Sequence, residues 1–457
     1  MASGEEPRLR PIRRCVIVAG CRTPFCKSFD QLISLNAIDL GVSAVRGLVK
    51  KTNLDVSLID ELIWGCVVFN TAAPNVAREI VIDLNLPRSI PGVTCSRACM
   101  SGLQAIEQGV VLIEHGQADV IIAGGSDSLS NGEMPLPRRL TQALGKMTFG
   151  RKKGLAATMQ FFKDAGPATG WIPKPNQIAE RSTGKTMGYH ADLMAEINRI
   201  PRNAQDDYAL SSHQKAAAGT SAGILPEEIV PVQLASGKVI SKDDLIRADQ
   251  DRSKVSKLKP VFRKTGTVTA ASASPLTDGA SCVLLMSEDK ARELGYAADI
   301  VFRSFANCAV DPFPQLLLAP AVAIPRALQL AGTTLDQMDF VEMHEAFAAQ
   351  VLSTLAALES VEFANQVLKR DKAVGRIALD KLNLYGGSIA IGHPFSATGG
   401  RLVTTAVNEL RRSKKRFALL SVCAAGGMGG AVILERIGSP SSSASTSIEK
   451  FGRDTRE

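Results

Sequence analysis

The 457-residue sequence contains few aromatic and histidine residues and no long hydrophobic run. No apolar stretch approaches the roughly 20 residues that a membrane-spanning helix needs, so we expect no transmembrane helix. There are five histidines, and no second Cys or His pair at ligand spacing accompanies Cys95 and Cys99, which argues against a metal site of the zinc type. The remaining composition, 45% hydrophobic and 21% charged, is that of an ordinary globular protein.

The cysteines do not follow an extracellular pattern. Nine of them, an odd number, are scattered from Cys15 to Cys423, which argues against a disulfide framework and favours a reducing compartment. The first residues, with Glu5 and Glu6 ahead of several arginines, lack the apolar core of a secretory signal. A short organelle-targeting segment stays an open alternative there, and the last four residues are not a Ser-Lys-Leu type address.

The formal net charge of +8 is concentrated in one segment. Residues 135–175 contain eight Lys or Arg against one acid, Asp164, a local charge of +7. Such a patch predicts an anionic ligand or surface, and we do not expect nucleic acid as a partner. An apolar stripe lies beside its basic cluster 151–153: Leu155, Met159 and Phe162. Two interpretations of the stripe stay open, packing on the domain beneath it, or peripheral contact with a membrane or a partner helix.

Strand-like and helix-like segments alternate through the first third of the chain, separated by glycine-rich breaks. This alternation is typical of an α/β domain with a mostly parallel sheet. We predict helices around 40–48, over 75–84 and from Cys99 to about Gly116, and strands at 15–19, 66–69, 93–95 and 119–123.

The last third of the chain repeats the same pattern. A helix that begins at Ala397 leads to a strand over 417–422 and then to a Gly-Gly pair, as the helix after Cys99 leads to Gly124-Gly125. The repeat predicts two duplicated halves. We expect the following divisions: an N-terminal half over 12–134, completed by about 262–296; a basic inserted loop domain over 135–261 with a helical run over 180–197; a C-terminal half over 297–437; and a disordered tail over 438–457.

Two cysteines stand at the ends of predicted strands. Cys99 precedes an amphipathic run, so the positive end of a helix dipole is expected to favour its thiolate. Cys423 precedes Ala424-Ala425-Gly426-Gly427, a turn whose free backbone N–H groups could form an oxyanion hole. Taken alone, Cys99 is more typical of a small buried hydrophobic residue than of a nucleophile.

Two histidines lie in distinctive contexts. His393 follows a Gly-rich segment and precedes Pro394, and His344 stands in Met-His-Glu-Ala-Phe after an apolar strand. Singly, each is more typical of a structural histidine. If the two halves pack together, a thiol beside an imidazole forms a nucleophile with its base, and a second thiol can move a proton on carbon.

The stretches around Cys99, His344, His393 and Cys423, in this order, resemble the signature blocks of the thiolase family from about Val16 to Glu435. The form His-Glu-Ala-Phe at 344–347 resembles the β-subunit of the trifunctional β-oxidation enzyme. The resemblance implies an α/β fold of duplicated layered α/β/α/β/α halves with an inserted loop domain. It also implies a 3-ketoacyl-CoA thiolase (acetyl-CoA C-acyltransferase), which cleaves 3-ketoacyl-CoA with CoA to acyl-CoA and acetyl-CoA.

The resemblance also implies roles for individual residues. Cys99 would be the acylated nucleophile and His393 its base, while Cys423 would move the proton of the acetyl carbon. His344 would help to form one oxyanion hole, and the backbone N–H groups of Cys99 and Ala425 the other. Positions that match coenzyme A contacts of the family are Ser274, Phe347 and Met187. Two positions depart from the usual family residues, Ser272 and Ser396.

Further expectations follow from the same resemblance. Coenzyme A is a substrate, with no metal or redox cofactor. The chain would form a homodimer or a dimer of dimers, and a hydratase/dehydrogenase α-subunit would be its partner. A mitochondrial location is expected, with cytosolic or peroxisomal locations as alternatives. The competing functions are an acetoacetyl-CoA-forming biosynthetic thiolase, a ketoacyl synthase, which Cys423 argues against, and a non-catalytic scaffold or membrane-docking subunit.

Overall fold

The computed structural model describes residues 12–173 and 178–438. The predicted tail lies almost wholly outside this range. The strands of the described residues are β1 Cys15–Arg22, β2 Cys26–Lys27, β3 Glu61–Gly65, β4 Gly92–Cys95, β5 Val120–Asp127, β6 Ala179–Glu180, β7 Lys185–Thr186, β8 Val232–Gln233, β9 Val239–Ile240, β10 Thr277–Ser287, β11 Ile300–Ala309, β12 Phe340–Met343, β13 Phe417–Ala424 and β14 Met428–Arg436.

The helices have the following bounds: α1 Ala37–Thr52, α2 Val76–Asp83, α3 Ser101–Glu114, α4 Arg138–Phe149, α5 Leu155–Ala165, α6 Met187–Ile197, α7 Arg202–Ser221, α8 Ile224–Glu228, α9 Arg252–Val255, α10 Glu288–Glu293, α11 Pro320–Ala331, α12 Ala348–Glu359, α13 Val361–Phe363, α14 Ser388–Ile391 and α15 Ala397–Ser413. None of these helices is long and apolar enough to cross a membrane.

One mixed sheet carries the fold, in the order β12-β13-β14-β11-β1-β10-β5-β3-β4, and β2 pairs with β10. The expectation of a mostly parallel sheet is wrong, since among the described strands only the pairs β3–β4, β3–β5 and β12–β13 are parallel. In the first repeat β3 is parallel to β5, while β5, β10 and β1 are antiparallel neighbours. In the second repeat β12 is parallel to β13, while β13, β14 and β11 are antiparallel neighbours. The two repeats meet where Val16 of β1 pairs with Val301 of β11. The duplication predicted from the Gly-Gly pattern is therefore confirmed, while the boundaries 134, 262 and 297 stay predictions.

Helices cover and separate the two repeats in layers. One apolar cluster joins α1 and α2 to the strands of the first repeat, and another joins α11 and α12 to those of the second. The third cluster contains Leu103 and Ile106 of α3 and Leu402 and Val403 of α15, together with strand residues from both repeats. The helices α3 and α15 thus form the central layer. The predicted layered α/β/α/β/α arrangement is confirmed.

The N-termini of α3 and α15 approach each other very closely. A Cβ atom at Gly102 would collide with the backbone carbonyl of Ser396, and one at Gly399 would lie 2.6 Å from the backbone nitrogen of Leu103. Only glycine permits this approach. The residues that precede the two helices are thereby brought to one place in the fold, between the repeats.

Two predicted elements are wrong. The strand lies at Glu61–Gly65 rather than 66–69, because the N–H groups of Val67 and Val68 donate to the Asp127 carboxylate instead of a strand neighbour. The helical run predicted over 180–197 begins only at Met187, where the Thr186 side chain caps it. The preceding residues form the hairpin of β6 and β7.

Candidate active site

Cys99 lies in the short connection between β4 and α3. Ala98 has a φ of 47°, in the left-handed region that non-glycine residues rarely adopt. The Ser101 hydroxyl supports this turn, since it accepts from the Arg97 N–H at 2.8 Å and donates to the Ala98 carbonyl at 2.6 Å. Strained backbone of this kind is concentrated at functional sites. Here it fixes the direction of the Cys99 side chain.

The Cys99 thiol is neutral in the absence of substrate. Burial raises its pKa to about 12, the negative charge of Asp127 adds to this, and the N–H groups of Ala425 and of Cys99 itself oppose it. The backbone N–H groups therefore favour the thiolate, as expected, but desolvation outweighs them. The helix itself begins two residues later, at Ser101.

The rings of His344 and His393 lie next to each other, with centroids 4.0 Å apart and planes tilted by 37°. His344 follows β12, and its Nδ1 lies 2.8 Å from the Ser388 hydroxyl. His393 precedes α15, and its Nδ1 lies 2.7 Å from the Thr398 hydroxyl. The Nε2 atoms of both rings are buried and have no hydrogen-bond partner among the described residues. Buried polar atoms normally find partners, so two such atoms in one place indicate a site for a ligand's polar group.

Both imidazoles are neutral. Burial lowers the pKa of His393 to about 3, and the positive charge of Arg401 adds to this effect. Burial, followed by the neighbouring His393 and Arg401, lowers the pKa of His344 well below its ordinary value. A neutral imidazole can accept a proton at Nε2 or donate one from it, and the hydroxyl beside each Nδ1 can serve either tautomer, since it both donates and accepts.

Cys423 lies near the end of β13, opposite Gly429 of β14, and is buried. Burial raises the pKa of its thiol, and the proximity of Cys99 raises it further. The two thiols are thus close enough to interact. Beyond Cys423 the chain turns through Ala425, and Gly426 and Gly427 adopt φ values of 81° and 70°, which favour glycine.

A cavity of about 600 Å³ opens beside Cys99 and Ala425. Leu276 and Phe395 line this cavity, and both contact His393. The backbone of Leu276 pairs with that of His393. The Phe395 ring stands edge-on to the imidazole, with ring centroids 5.2 Å apart. The rest of the wall is mostly apolar, including Val67, Phe69, Leu129 and Ile178. Its composition suits an aliphatic chain that ends at the thiol.

The three predicted coenzyme A positions lie in two places. Met187 lines the cavity next to Cys99. Ser274 and Phe347 lie outside its lining but beside each other, since the Ser274 N–H donates to the Ala346 carbonyl at 2.9 Å and Ala273 pairs with Phe347. The Phe347 ring meets Phe262 edge-on at 5.7 Å. The binding role of all three stays a prediction.

The two departures from the family pattern leave the neighbouring backbone hydrogen-bonded. The Ser272 hydroxyl accepts from the Thr269 N–H at 2.9 Å. The Ser396 N–H donates to the Asp127 carboxylate at 2.8 Å. Neither side chain displaces a predicted site residue.

Sequence reasoning missed the residues that orient the site. Thr398 and Ser388 hold the two imidazoles, and the buried Asp127 joins the end of β5 to the start of α15. The available signal was the presence of small polar residues inside the glycine-rich motifs, close to His393 in sequence.

Comparison with known proteins agrees with the geometry. The family model described as thiolase, N-terminal domain, matches residues 15–289, and the one described as thiolase, C-terminal domain, matches residues 297–436. The chain belongs to the thiolase family. A 3-ketoacyl-CoA thiolase of Aeromonas salmonicida is 42% identical over 424 residues, covering 92% of this chain and 97% of the relative. One of Colwellia psychrerythraea is 42% identical over 427 residues, with the same coverage.

Solved thiolase-family structures share the fold. The acetyl-CoA acetyltransferase of Bacillus anthracis superposes with a TM-score of 0.78 at 28% identity, covering 93% of this chain and 100% of that one. Human mitochondrial 3-ketoacyl-CoA thiolase in complex with CoA also has a TM-score of 0.78 at 28% identity, covering 93% and 98%. The layered repeats are thus those of the thiolase fold.

Proposed function

We propose that this protein is a 3-ketoacyl-CoA thiolase. The observation that carries the proposal is a pair of adjacent buried imidazoles whose Nε2 atoms lack partners among the described residues, next to an apolar cavity that Cys99 lines, with the Cys423 thiol near that of Cys99. One thiol with a base suits acyl transfer, and a second thiol suits proton transfer to carbon. The 42% identity to proteins named 3-ketoacyl-CoA thiolase supports the same substrate class.

The first half-reaction uses Cys99 and His393. The Cys99 thiol gives its proton to His393 Nε2 while Sγ attacks C3 of the 3-ketoacyl-CoA. The N–H groups of Cys99 and Ala425 stabilise the oxyanion that forms on C3. The C2–C3 bond then breaks, which leaves the acyl group on Sγ as a thioester and the acetyl-CoA enolate as the leaving group.

The second half-reaction uses Cys423 and the histidine pair. His344 and the protonated His393 donate from Nε2 to the enolate oxygen, and the Cys423 thiol gives a proton to C2, which releases acetyl-CoA. An incoming CoA thiol then loses its proton to the Cys423 thiolate and attacks the acyl thioester, and Sγ of Cys99 leaves and regains its proton from His393. Every step is a proton or acyl transfer, so CoA enters as a substrate and no metal or redox cofactor is required.

The decisive experiment is thiolysis by the purified protein. Acetoacetyl-CoA and a long-chain 3-ketoacyl-CoA are each mixed with CoA, and the loss of 3-ketoacyl-CoA absorbance is followed. We expect turnover that Cys99→Ala abolishes and that Cys308→Ala, which alters a half-buried cysteine of β11, leaves unchanged. No thiolysis by the wild type, or full thiolysis by Cys99→Ala, contradicts the proposal. Turnover of acetoacetyl-CoA alone would favour the acetoacetyl-forming alternative.

For assembly, we propose a homodimer formed through the β4 edge of the sheet. Among the described residues β4 pairs on one side only, with β3, and an edge strand is a template for pairing with another chain. Val93 on β4 and Val111 on α3 are 40% and 47% exposed beside this edge. Light scattering should give a dimer or a dimer of dimers for the wild type and smaller species for Val93→Lys.

For the inserted segment, we propose peripheral binding to an anionic membrane. The helices α4 and α5 form a hairpin, and large apolar side chains on either side of its connecting turn are exposed, with Phe149 at 88% and Leu155 at 77%. The apolar stripe therefore does not pack on the domain beneath. The basic cluster 151–153 is exposed beside it, and this combination suits a bilayer with negative headgroups.

Liposome co-sedimentation tests the membrane proposal. The wild type should sediment with anionic vesicles and less with neutral ones, and a variant with Arg151, Lys152 and Lys153 neutralised should stay in solution. Equal sedimentation of the two proteins rules the proposal out. In that case the next partner to test on the α4–α5 hairpin would be a hydratase/dehydrogenase α-subunit, which the trifunctional resemblance implies. That resemblance also supports a mitochondrial location, which cell fractionation would check.

A further inference from the structure

The Gly-rich turn that carries Ala425 is held by a carboxylate from the inserted segment. The Glu180 side chain accepts a hydrogen bond from the Gly426 N–H at 2.9 Å. Its other oxygen accepts from the Ser182 N–H at 3.1 Å and from the Ser182 hydroxyl at 2.8 Å. Both carboxylate oxygens are therefore engaged, and the Glu180 side chain acts as a fixed anchor rather than a mobile charge.

The turn needs such an anchor. It joins β13 to β14 through Ala425, Gly426 and Gly427, two of which lack a Cβ and so have wide backbone freedom. On the far side, the Val310 N–H donates to the Gly427 carbonyl at 2.8 Å. Glu180 supplies the restraint on the near side, next to Ala425. Because the peptide unit is planar, holding the Gly426 N–H also holds the Ala425 carbonyl and so restrains the ψ angle of Ala425.

The restraint acts where the acyl group is transferred. Cys99 and Ala425 line the same cavity, and a hydrogen bond from the Ala425 N–H lowers the pKa of the Cys99 thiol. The hairpin of Glu180 also reaches the same cavity, which Ile178 and Ala179 line together with Cys99 and Ala425. We propose that Glu180 is a positioning residue that holds the Ala425 N–H in place as an oxyanion donor. This inference rests on the proposed thiolase function. It adds a residue of the inserted segment to those that support catalysis.

The distinctive consequence is an effect on kcat without an effect on KM. An oxyanion donor gains its contact only when the tetrahedral intermediate forms, so a displaced donor slows turnover but does not weaken substrate binding. Loss of one such donor costs about 100- to 1000-fold in kcat. Since Glu180→Ala loosens the donor rather than removing it, we expect a loss of about 10- to 100-fold.

The test follows acyl exchange between acyl-CoA and labelled CoA, which uses Cys99, the N–H pair and the proton transfer between Cys423 and the CoA thiol, but no proton transfer to carbon. Glu180→Ala should lower kcat with KM for acyl-CoA unchanged. Glu180→Gln, which keeps one accepting oxygen for two sets of donors, should fall between Glu180→Ala and the wild type. The matched control is Glu227→Ala, which removes another carboxylate of the inserted segment, paired with Arg412 at 3.1 Å.

Hydrogen–deuterium exchange gives an independent readout. The peptide that contains Gly426 should exchange faster in Glu180→Ala, while the melting temperature stays near that of the wild type. A wild-type kcat in both Glu180 variants, or a fall in kcat matched by a rise in KM, overturns the inference. An inactive wild type would instead refute the proposed function, so the two failures are distinguishable.

Discussion

The Thr398 hydroxyl should control the base of the reaction. For His393 Nε2 to accept the Cys99 proton, the ring must carry its own proton on Nδ1, which then donates to Thr398 Oγ1 at 2.7 Å. Thr398 and His393 are both buried, so no bulk water replaces a lost partner. Thr398→Val removes the hydroxyl with little change of shape and leaves Nδ1–H unpaired.

The size of the effect follows from this loss. A buried donor without a partner costs about 1–3 kcal/mol. The cost falls on the reacting state, because once Nε2 has taken the Cys99 proton the imidazolium must carry Nδ1–H, and in Thr398→Val no acceptor lies beside it. The protonated ring is therefore disfavoured by about the same amount, which corresponds to a fall in kcat of about 5- to 150-fold.

The assay is thiolysis of 3-ketoacyl-CoA, with Thr398→Ser as the variant that keeps the hydroxyl. The control is Thr404→Val on the same helix, because the Thr404 hydroxyl is also buried but donates only to the Gly400 carbonyl at 2.8 Å. We expect Thr398→Ser to retain most of the activity and Thr404→Val to behave like the wild type. If Thr398→Val and Thr404→Val have the same kcat, the role of the hydroxyl is refuted.

Three further predictions concern protonation and stability. Alkylation of Cys99 by iodoacetamide, followed by mass spectrometry, should rise with pH from 6 to 10 without a plateau, because the pKa of the thiol is about 12; a plateau near neutral pH contradicts this. Arg22→Met should lower the free energy of unfolding by about 3–5 kcal/mol in denaturant titration, because it leaves the buried Asp243 without its ion-pair partner. The control Arg14→Met, which removes an ion pair at the surface, should lower it by about 0–1 kcal/mol. Asn36→Ala, which breaks the α1 capping box, should cost about 1 kcal/mol by the same titration.

The sequence predicted those elements whose signals are local. The periodic apolar residues Leu103, Ile106 and Val110 define α3, and the helix, strand and Gly-Gly order that recurs in the last third identifies the duplication. The predictions that failed concern residues whose conformation depends on a partner distant in sequence. Residues 66–69 are as apolar as a strand, but Asp127, about 60 residues away in sequence, takes the N–H groups of Val67 and Val68.

The candidate site divides in the same way. The motifs identified the thiols and imidazoles, because the chemistry needs those residue types. The residues that orient them were not identified, since no local spacing rule links His393 to Thr398, five positions later, or the Gly-rich turn to Glu180, about 246 residues before Gly426. Those contacts exist only because the repeats and the inserted segment pack around one cavity.

The protonation state of Cys99 depends on the same packing. A helix start stabilises a nearby anion by about 0.3–1 kcal/mol, up to about 2 kcal/mol in partly buried geometry. Burial raises the thiol pKa from 9.0 to about 12, which is worth on the order of 4 kcal/mol, so desolvation wins. Burial also lowers the pKa of His393, to about 3, and this further disfavours a resting thiolate–imidazolium pair. Cys99 must therefore lose its proton as Sγ attacks, when the developing oxyanion and the N–H groups of Cys99 and Ala425 offset that cost.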